Sequence, residues 1–271
     1  MLNIAAEDSS SQLLFAGIRF TLAGIMVAGV LSVQQKKFVY PERTALRQIA
    51  VLALFQTILQ YIFFYIGLAH ASAARAAIIN GLGTFITILI AVYFFRFESM
   101  TRRKLAGCLL GFAGIVILET MGKSVEFGFK WNGEGFLFIT IIATSFAANF
   151  IKMYSREHDP AMLSGYQFIL GGIVLILTGF MTGGRIAFTD HRAIILIIYM
   201  AFISSAAYTF WGILLKHNPV SNVAIFNFVT PVAGLVLSTV LLKEQSVINM
   251  FSVISIILVS LGIIVVSRED N

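Results

Sequence analysis

The stretch AGIRFTLAGI at residues 16–25 decides the fold, because a similar stretch, SGYQFILGGI, recurs at residues 164–173. The two stretches lie 148 residues apart and share two glycines and a phenylalanine at matching positions. Similarity at one fixed spacing is the usual sign of a duplicated architecture. We therefore predict that the sequence on either side of this stretch also recurs about 148 residues further along the chain.

Other pairs of residues keep the same spacing, between 146 and 148 residues. They are Tyr61 and Tyr208, Asn80 and Asn227, Glu98 and Glu244, and the stretches GIVI at 114–117 and GIIV at 262–265. A single match between apolar stretches is common by chance, whereas several matches with nearly one spacing indicate duplication. We therefore predict a first repeat at residues 1–121 and a second repeat at residues 122–271.

The composition places both repeats in a membrane. Hydrophobic residues make up 58% of the 271 residues and charged residues only 12%, which is about half the charged share of soluble domains. A helix needs about 20 apolar residues to cross the hydrocarbon core of a bilayer. Nine runs reach or approach this length: 12–33, 48–68, 76–95, 105–121, 135–151, 161–182, 193–215, 222–242 and 248–267. The sequence thus predicts an all-α membrane protein, a polytopic helical bundle of nine spans.

The order of these runs predicts how the repeats are related. Equivalent helices of the two copies are five spans apart along the chain. Because successive spans alternate in direction and five is odd, the two copies must cross the bilayer in opposite directions. The fifth run, 135–151, would have its counterpart before Met1. We expect an inverted repeat of two five-helix units in which the first unit lacks its opening helix. Either the sequence begins at an internal start, or nine spans form the whole protein.

The positions of lysine and arginine predict the orientation, because cytoplasmic loops of membrane proteins are enriched in both. Twelve of these residues lie on one side of the predicted spans and five on the other, with Arg19 and Arg75 within or at the edge of spans. The twelve are Lys36, Lys37, Arg43, Arg47, Arg96, Arg102, Arg103, Lys104, Lys152, Arg156, Lys216 and Arg268. We predict a multi-pass protein of the cytoplasmic membrane with its C-terminus in the cytoplasm.

Several classes of protein and site are disfavoured. The single cysteine, Cys108, lies in an apolar run and allows no disulfide within the chain. His70 and His217 lack the neighbouring carboxylates or thiols of a metal site. Neither an H-E-x-x-H nor a G-x-S-x-G motif is present, and no paired midspan carboxylates support a membrane enzyme. We expect no cofactor, metal or nucleic acid; the expected partners are the lipid bilayer and a small-molecule substrate.

Three stretches carry a resemblance to known proteins: AGIRFTLAG at 16–24, YIGLAHASAARAAIINGLGTFITILIAVYFFRFES at 65–99, and YTFWGILLKHNPVSNVAIFNFVTPVAGLVLSTVLLKEQ at 208–245. They resemble the EamA-type carriers of the drug/metabolite transporter superfamily. The resemblance implies ten helices in an inverted repeat, a central substrate cavity, and export of metabolites, amino acids or foreign compounds. The chain departs from this pattern in its missing opening helix, and in Thr84, which stands where the second repeat has Pro231.

Polar side chains inside predicted spans are candidates for a substrate site, because such groups are costly in hydrocarbon unless they face a cavity or another helix. Arg19 can bind an anionic substrate group, or it can reach the outer headgroups as an interfacial residue. Its counterpart in the second repeat is the neutral Gln167. The other candidates are Gln56, Gln60 and Tyr61 on one span, Asn80 and Asn227 on equivalent spans, and Tyr208 with Trp211 three residues later. Each can instead pack or form a hydrogen bond between helices.

Three further residues are candidates for a kink or a gate. Pro231 removes a backbone hydrogen bond in the middle of its span. Glu98 and Glu244 each follow a span, beside Arg96 and Lys243 respectively, where we expect interfacial ion pairs.

The leading hypothesis for function is a transmembrane transporter that exports a small metabolite, amino acid or drug-like solute by alternating access. A non-transporting subunit of a heteromeric carrier is the alternative, and a membrane enzyme is less favoured. The glycines Gly107, Gly111 and Gly114 line one helix face and permit close helix contact, within the fold or in a homodimer.

Overall fold

The computed structural model describes residues 8–120, 129–186, 191–234 and 250–268. Every regular element in these ranges is a helix, and no strand occurs in them. The helices are α1 (Ser9–Gln35), α2 (Arg43–His70), α3 (Ala73–Leu89), α4 (Arg102–Thr120), α5 (Trp131–Tyr154), α6 (Pro160–Met181), α7 (His191–His217), α8 (Val220–Gly234) and α9 (Met250–Ser267). The predicted all-α class is confirmed.

Seven of these helices are long and apolar enough to cross a membrane, namely α1, α2, α3 with its continuation to Phe94, α5, α6, α7 and α9. The helix α4 carries Arg102, Arg103 and Lys104 in its first turn and Glu119 near its end, which makes it more polar. Only the first part of the predicted span 222–242 lies within the described residues, as part of α8. A polytopic membrane protein is therefore established, with seven clear candidate spans.

Local sequence explains where the helices begin and end. At the start of α1, Asp8 accepts a hydrogen bond from the Ser11 backbone N–H at 3.1 Å, as an N-cap residue does. Hydrogen bonds from the Ser11 side chain and backbone lower the pKa of Asp8, because they stabilise its carboxylate. The helix ends at Lys36, whose φ of 52° breaks the helical geometry. Asp159 caps α6, and Pro160 occupies its first turn, where a missing N–H costs nothing.

The chain forms two compact units that interleave along the sequence. The first unit comprises residues 1–69 and 146–217, and the second comprises residues 70–145 and 218–271. The first unit thus holds α1, nearly all of α2, the end of α5, α6 and α7. The second unit holds α3, α4, most of α5, α8 and α9. This division follows packing, so it leaves the repeat boundary at residues 121 and 122 as a prediction.

The first unit is built on close contact between α1 and α6. A Cβ added at Gly17 would lie 2.6 Å from the backbone nitrogen of Ile176 and 2.8 Å from the Gly172 carbonyl oxygen. A Cβ at Gly24 would overlap the Gly165 carbonyl oxygen. Beside these glycines, the rings of Phe20 and Phe168 stack with centroids 4.8 Å apart. Only residues without a side chain allow the two backbones to approach this closely.

The second unit repeats this construction with α4 and α9. A Cβ at Gly107 would lie 2.7 Å from the Gly262 carbonyl oxygen, and one at Gly114 would lie 3.0 Å from the Ser255 carbonyl oxygen. At Gly111 the space beside the backbone is filled by the ring of Phe228. The face formed by these three glycines therefore packs within the fold, which is one of the two roles that the sequence allowed.

We predict that Gly24→Ala lowers the melting temperature of the purified protein by several degrees, because the new methyl group forces the α1 and α6 backbones apart. Overpacking of this kind costs about 1–3 kcal/mol. Gly29→Ala is the matched control, since no atom lies within 4 Å of a Cβ built at Gly29. Thermal unfolding in detergent measures both variants. Equal melting temperatures for the two variants would contradict the role given to Gly24.

Candidate functional site

Arg19 is partly buried in the first unit, and its Nε atom is buried without a hydrogen-bond partner among the described residues. It follows the start of α1 by ten residues, or roughly 15 Å at the rise of an α-helix. Its guanidinium carbon lies 4.4 Å from the centroid of the Phe20 ring and 5.8 Å from that of Tyr61. An arginine at the centre of a membrane helix costs about 2.5–3.5 kcal/mol on insertion scales. Cation–π contact offsets only part of that cost.

Two tyrosines meet beside this arginine. The hydroxyl groups of Tyr61 and Tyr208 are hydrogen-bonded at 3.1 Å, although the two residues lie on different helices, α2 and α7. The Tyr61 ring packs on Phe20 with centroids 4.6 Å apart, and the Tyr208 ring lies edge-on to Phe168 at 4.9 Å. Arg19, Tyr61 and Tyr208, which the sequence suggested separately, thus form one cluster.

A second polar group lies one helical turn earlier on α2, where residues Ala53–Leu59 form a π-helical segment. Such wide turns are rare and often occur at functional sites. The Thr57 hydroxyl donates a hydrogen bond to Gln167 Oε1 at 2.7 Å. The Nε2 atom of Gln167 and the Oε1 atom of Gln56 are buried without partners. Buried polar atoms of this kind carry a desolvation cost until a ligand or water satisfies them.

Gln60 and Trp211, two further candidates, are both partly buried. Gln60 is the first residue after the π-helical segment of α2, and Trp211 lies on α7 three residues after Tyr208. Their participation in a substrate site stays a prediction.

Asn80 and Asn227 belong to the second unit, and both side chains are exposed. Asn80 lies on α3, and Asn227 lies in a 3₁₀ segment of α8 at Ile225–Phe228. Pro231 follows this segment and cannot donate a hydrogen bond to the Asn227 carbonyl four residues earlier. The 3₁₀ segment ends three residues before Pro231, and the kink or gating role of Pro231 stays a prediction.

Glu98 forms a buried ion pair in the second unit, but with Lys104 and not with the neighbouring Arg96. Its Oε2 lies 2.7 Å from the Lys104 ammonium nitrogen, and both side chains are less than a tenth exposed. The carboxylate also accepts hydrogen bonds from the backbone N–H and the hydroxyl of Ser221. Glu98 thereby satisfies a free N–H in the first turn of α8. Glu244, its predicted counterpart, lies outside the described residues.

Sequence reasoning missed a further ion pair between Arg75, in the first turn of α3, and Glu134, in the first turn of α5. An Arg75 guanidinium nitrogen lies 2.6 Å from Glu134 Oε1, and the glutamate side chain is only 4% exposed. Glu134 also accepts a hydrogen bond from the Lys130 backbone N–H at 2.8 Å. No local spacing could have revealed this pair, because 59 residues separate its members along the chain.

Comparison with known proteins identifies the family. The model of the EamA-like transporter family matches residues 2–120 and, separately, residues 131–268. The chain belongs to this family. The resemblance inferred from the sequence is therefore confirmed. A membrane transporter, and not an enzyme, is the function that the family and its named relatives support.

Several curated proteins resemble this EamA-like transporter. The uncharacterized transporter YvbV of Bacillus subtilis is 25% identical over 269 residues, which cover 97% of this chain and 85% of YvbV. An uncharacterized transporter of Archaeoglobus fulgidus is 23% identical over 261 residues, or 96% of this chain and 90% of the relative. The S-adenosylmethionine/S-adenosylhomocysteine transporter of Chlamydia muridarum is 25% identical over 181 residues, or 64% of this chain and 56% of the relative.

A solved crystal structure has the same fold as this EamA-like transporter. Its TM-score is 0.81 at 18% sequence identity, and the match covers 97% of this chain and 92% of that chain. At this identity the likeness concerns the fold alone. Within the described ranges, no group of three or more metal-ligating side chains could hold a metal ion.

We predict that Lys104→Met destabilises the transporter by about 3 kcal/mol, because it leaves the buried Glu98 carboxylate without its counter-charge. Arg103→Met is the matched control, since Arg103 is the exposed neighbour of Lys104 on the same helix. A surface substitution of this type stays within about 0.5 kcal/mol of the wild type. Unfolding in detergent compares the two variants, and similar stabilities would mean that the ion pair contributes little.

Proposed function

We propose that this transporter exports a small organic solute across the cytoplasmic membrane by alternating access. The observation that carries the proposal is the set of buried, unpartnered polar atoms on Arg19, Gln56 and Gln167 in the first unit. Groups this costly in hydrocarbon are retained where a substrate or water satisfies them. Of the predicted site residues, we assign the substrate site first to those three with Tyr61 and Tyr208.

The named relatives support a solute of metabolite size. The Chlamydia muridarum protein is named for transport of S-adenosylmethionine and S-adenosylhomocysteine. At 25% identity over 64% of this chain, we extend only the size class to the present protein. The substrate itself is identified by the experiment below.

We further propose that residues 1–121 and 122–271 are inverted copies, which together provide nine spans. Two observations support this. The family model matches each half separately, at residues 2–120 and 131–268. The glycine contacts are also reciprocal under a shift of 148 residues: Gly17 contacts Gly172, and Gly24 contacts Gly165. Residues related by a two-fold axis make contacts of this reciprocal type.

The pair α4 and α9 supports the same symmetry. Gly107 contacts Gly262, and Gly114 contacts Ser255. Shifting Gly107 by 148 residues gives Ser255, and shifting Gly114 by the same number gives Gly262. Related halves of opposite direction provide two similar arrangements, each open to one side of the membrane. Alternating access follows from that relation.

The orientation proposed from the lysine and arginine distribution makes a direct prediction. In a Cys108→Ala background, Arg103→Cys is labelled by a membrane-impermeant maleimide only from the cytoplasmic side, and Lys130→Cys only from outside. Both native side chains are exposed, and Cys108 is the only native cysteine. Labelling of intact cells and of inverted vesicles distinguishes the two sides. The reverse pattern would overturn the assignment of a cytoplasmic C-terminus.

Transport itself is tested by comparing solutes in cells and medium of a deletion strain and an overexpressing strain. We expect at least one metabolite to accumulate in the medium on overexpression and to be retained in the deletion strain. That metabolite is then measured in proteoliposomes with the wild type and with Arg19→Ala, Asn227→Ala and the surface control Arg103→Ala.

We expect Arg19→Ala to reduce the flux at least about tenfold, because loss of a hydrogen bond to a charged group costs about 1.5–3 kcal/mol. This reduction, together with normal flux for Arg103→Ala, supports the site. Unchanged flux in both Arg19→Ala and Asn227→Ala would make the site assignment wrong. If no solute differs between the two strains, the chain is not an exporter under those conditions, and the non-transporting subunit becomes the better explanation.

A further inference from the structure

We propose that the substrate carries a carboxylate and that the Arg19 guanidinium binds it beside Phe20 and the Tyr61–Tyr208 pair. The inference rests on the proposed function and names the substrate class of the same site. It follows from the charge balance of the described residues, the geometry of the guanidinium and the state of the two tyrosine hydroxyls.

The charge balance distinguishes Arg19 from Lys104 and Arg75, the two basic residues that form ion pairs in the described parts of the chain. Lys104 is paired with Glu98, and Arg75 is paired with Glu134. Among the residues that the structure describes, Arg19 forms no ion pair, and its buried Nε atom has no hydrogen-bond partner. Arginine cannot lose its proton in a protein, so the charge is permanent. A ligand with one negative charge provides the compensation that protein carboxylates provide at the other two sites.

The geometry favours a planar anion. The guanidinium carbon lies over the Phe20 ring, 4.4 Å from the ring centroid. The N–H donors of a guanidinium lie in the plane of the group and are arranged as a rigid fork. Nε and a terminal nitrogen together form the fork that matches the two oxygens of a carboxylate. Among the described residues Nε has no hydrogen-bond partner, and protein atoms cover it in this conformation. The fork can therefore bind a carboxylate once the surrounding side chains move apart.

The tyrosine pair offers a further donor. Tyr61 and Tyr208 share one hydrogen bond between their hydroxyls at 3.1 Å, which uses one of their two O–H protons. The remaining proton can be donated to a carboxylate oxygen or to another polar group of the substrate. The rings of Phe20, Tyr61 and Phe168 surround these donors with apolar surface. A small carboxylate with an apolar or aromatic body therefore fits this cluster.

The test uses the purified full chain in lipid nanodiscs and paired probes that differ only in having a carboxylate or its neutral amide. The probes are phenylacetate with phenylacetamide, and L-phenylalanine with L-phenylalaninamide. We expect at least one acid to raise the melting temperature in a concentration-dependent manner while its amide does not. Arg19→Gln weakens the apparent affinity for that acid about tenfold to a hundredfold, as expected for losing a charge-assisted pair. Arg19→Lys keeps the charge without the fork and gives an intermediate affinity.

Controls separate this inference from its alternatives. Arg103→Gln removes an equal charge at an exposed position and leaves the affinity unchanged. Exchange of chloride for methanesulfonate, which carries no carboxylate, at constant ionic strength tests an inorganic anion as the occupant. Stabilisation by chloride alone would overturn the carboxylate assignment. Equal responses to acid and amide, no response to either acid, or an unaltered response in Arg19→Gln would overturn it as well.

The outcome also distinguishes this inference from the proposed function. Suppose that the wild type exports a neutral or cationic metabolite in the strain comparison, with flux insensitive to Arg19→Gln. In that case the chain is a transporter and the carboxylate site is wrong. Suppose instead that carboxylates bind through Arg19 but no solute is transported. In that case the site is correct and the proposed transport function fails. Because Arg19→Gln could unfold the protein, its melting temperature without ligand is compared with that of Arg103→Gln first.

Discussion

Close approach of helix backbones at glycine is the constraint on which the rest of the structure depends. Lipid tails are as apolar as leucine side chains, so apolar surface alone does not drive membrane helices together. Each compact unit is built on one helix pair, α1 with α6 or α4 with α9, whose backbones touch where side chains are absent. The stack of Phe20 on Phe168 lies beside the first of these crossings, and it places Arg19 and Gln167 at the same level of their helices.

The two units treat buried charge differently. In the second unit, the pairs Glu98–Lys104 and Arg75–Glu134 join the ends of helices, and Glu98 additionally binds the first turn of α8. These charges are compensated, as buried structural charges must be. In the first unit, Arg19, Gln56 and Gln167 keep polar atoms without partners. Buried polar atoms without a partner also occur in the second unit, at Thr84 and Ser255. The feature that distinguishes the first unit among the described residues is therefore the unpaired charge of Arg19.

The candidate site was predicted residue by residue but not as an arrangement. Arg19, Tyr61 and Tyr208 were recognisable because polar groups are rare inside apolar runs. Thr57 was overlooked, because a threonine in a membrane helix usually bonds its own backbone, whereas here it donates to Gln167 on another helix. The expected partner of Glu98 was its neighbour Arg96, but the ion pair forms with Lys104, six residues away, because the chain turns between α3 and α4. Asn80 and Asn227 are equivalent in sequence, yet the structure shows only that both are exposed in the second unit.

The sequence by itself determined the helical class, the membrane environment, the family and the polar residues worth testing. Each of these depends on composition, on the length of an apolar run or on a match along the chain, and all three are properties of local sequence. Tertiary structure alone decided which polar groups meet. The Tyr61–Tyr208 hydrogen bond joins residues 147 apart, and the contact of Glu98 with Ser221 joins residues 123 apart. Contacts at such distances depend on how helices that are far apart in the sequence pack together, and no local pattern records that packing.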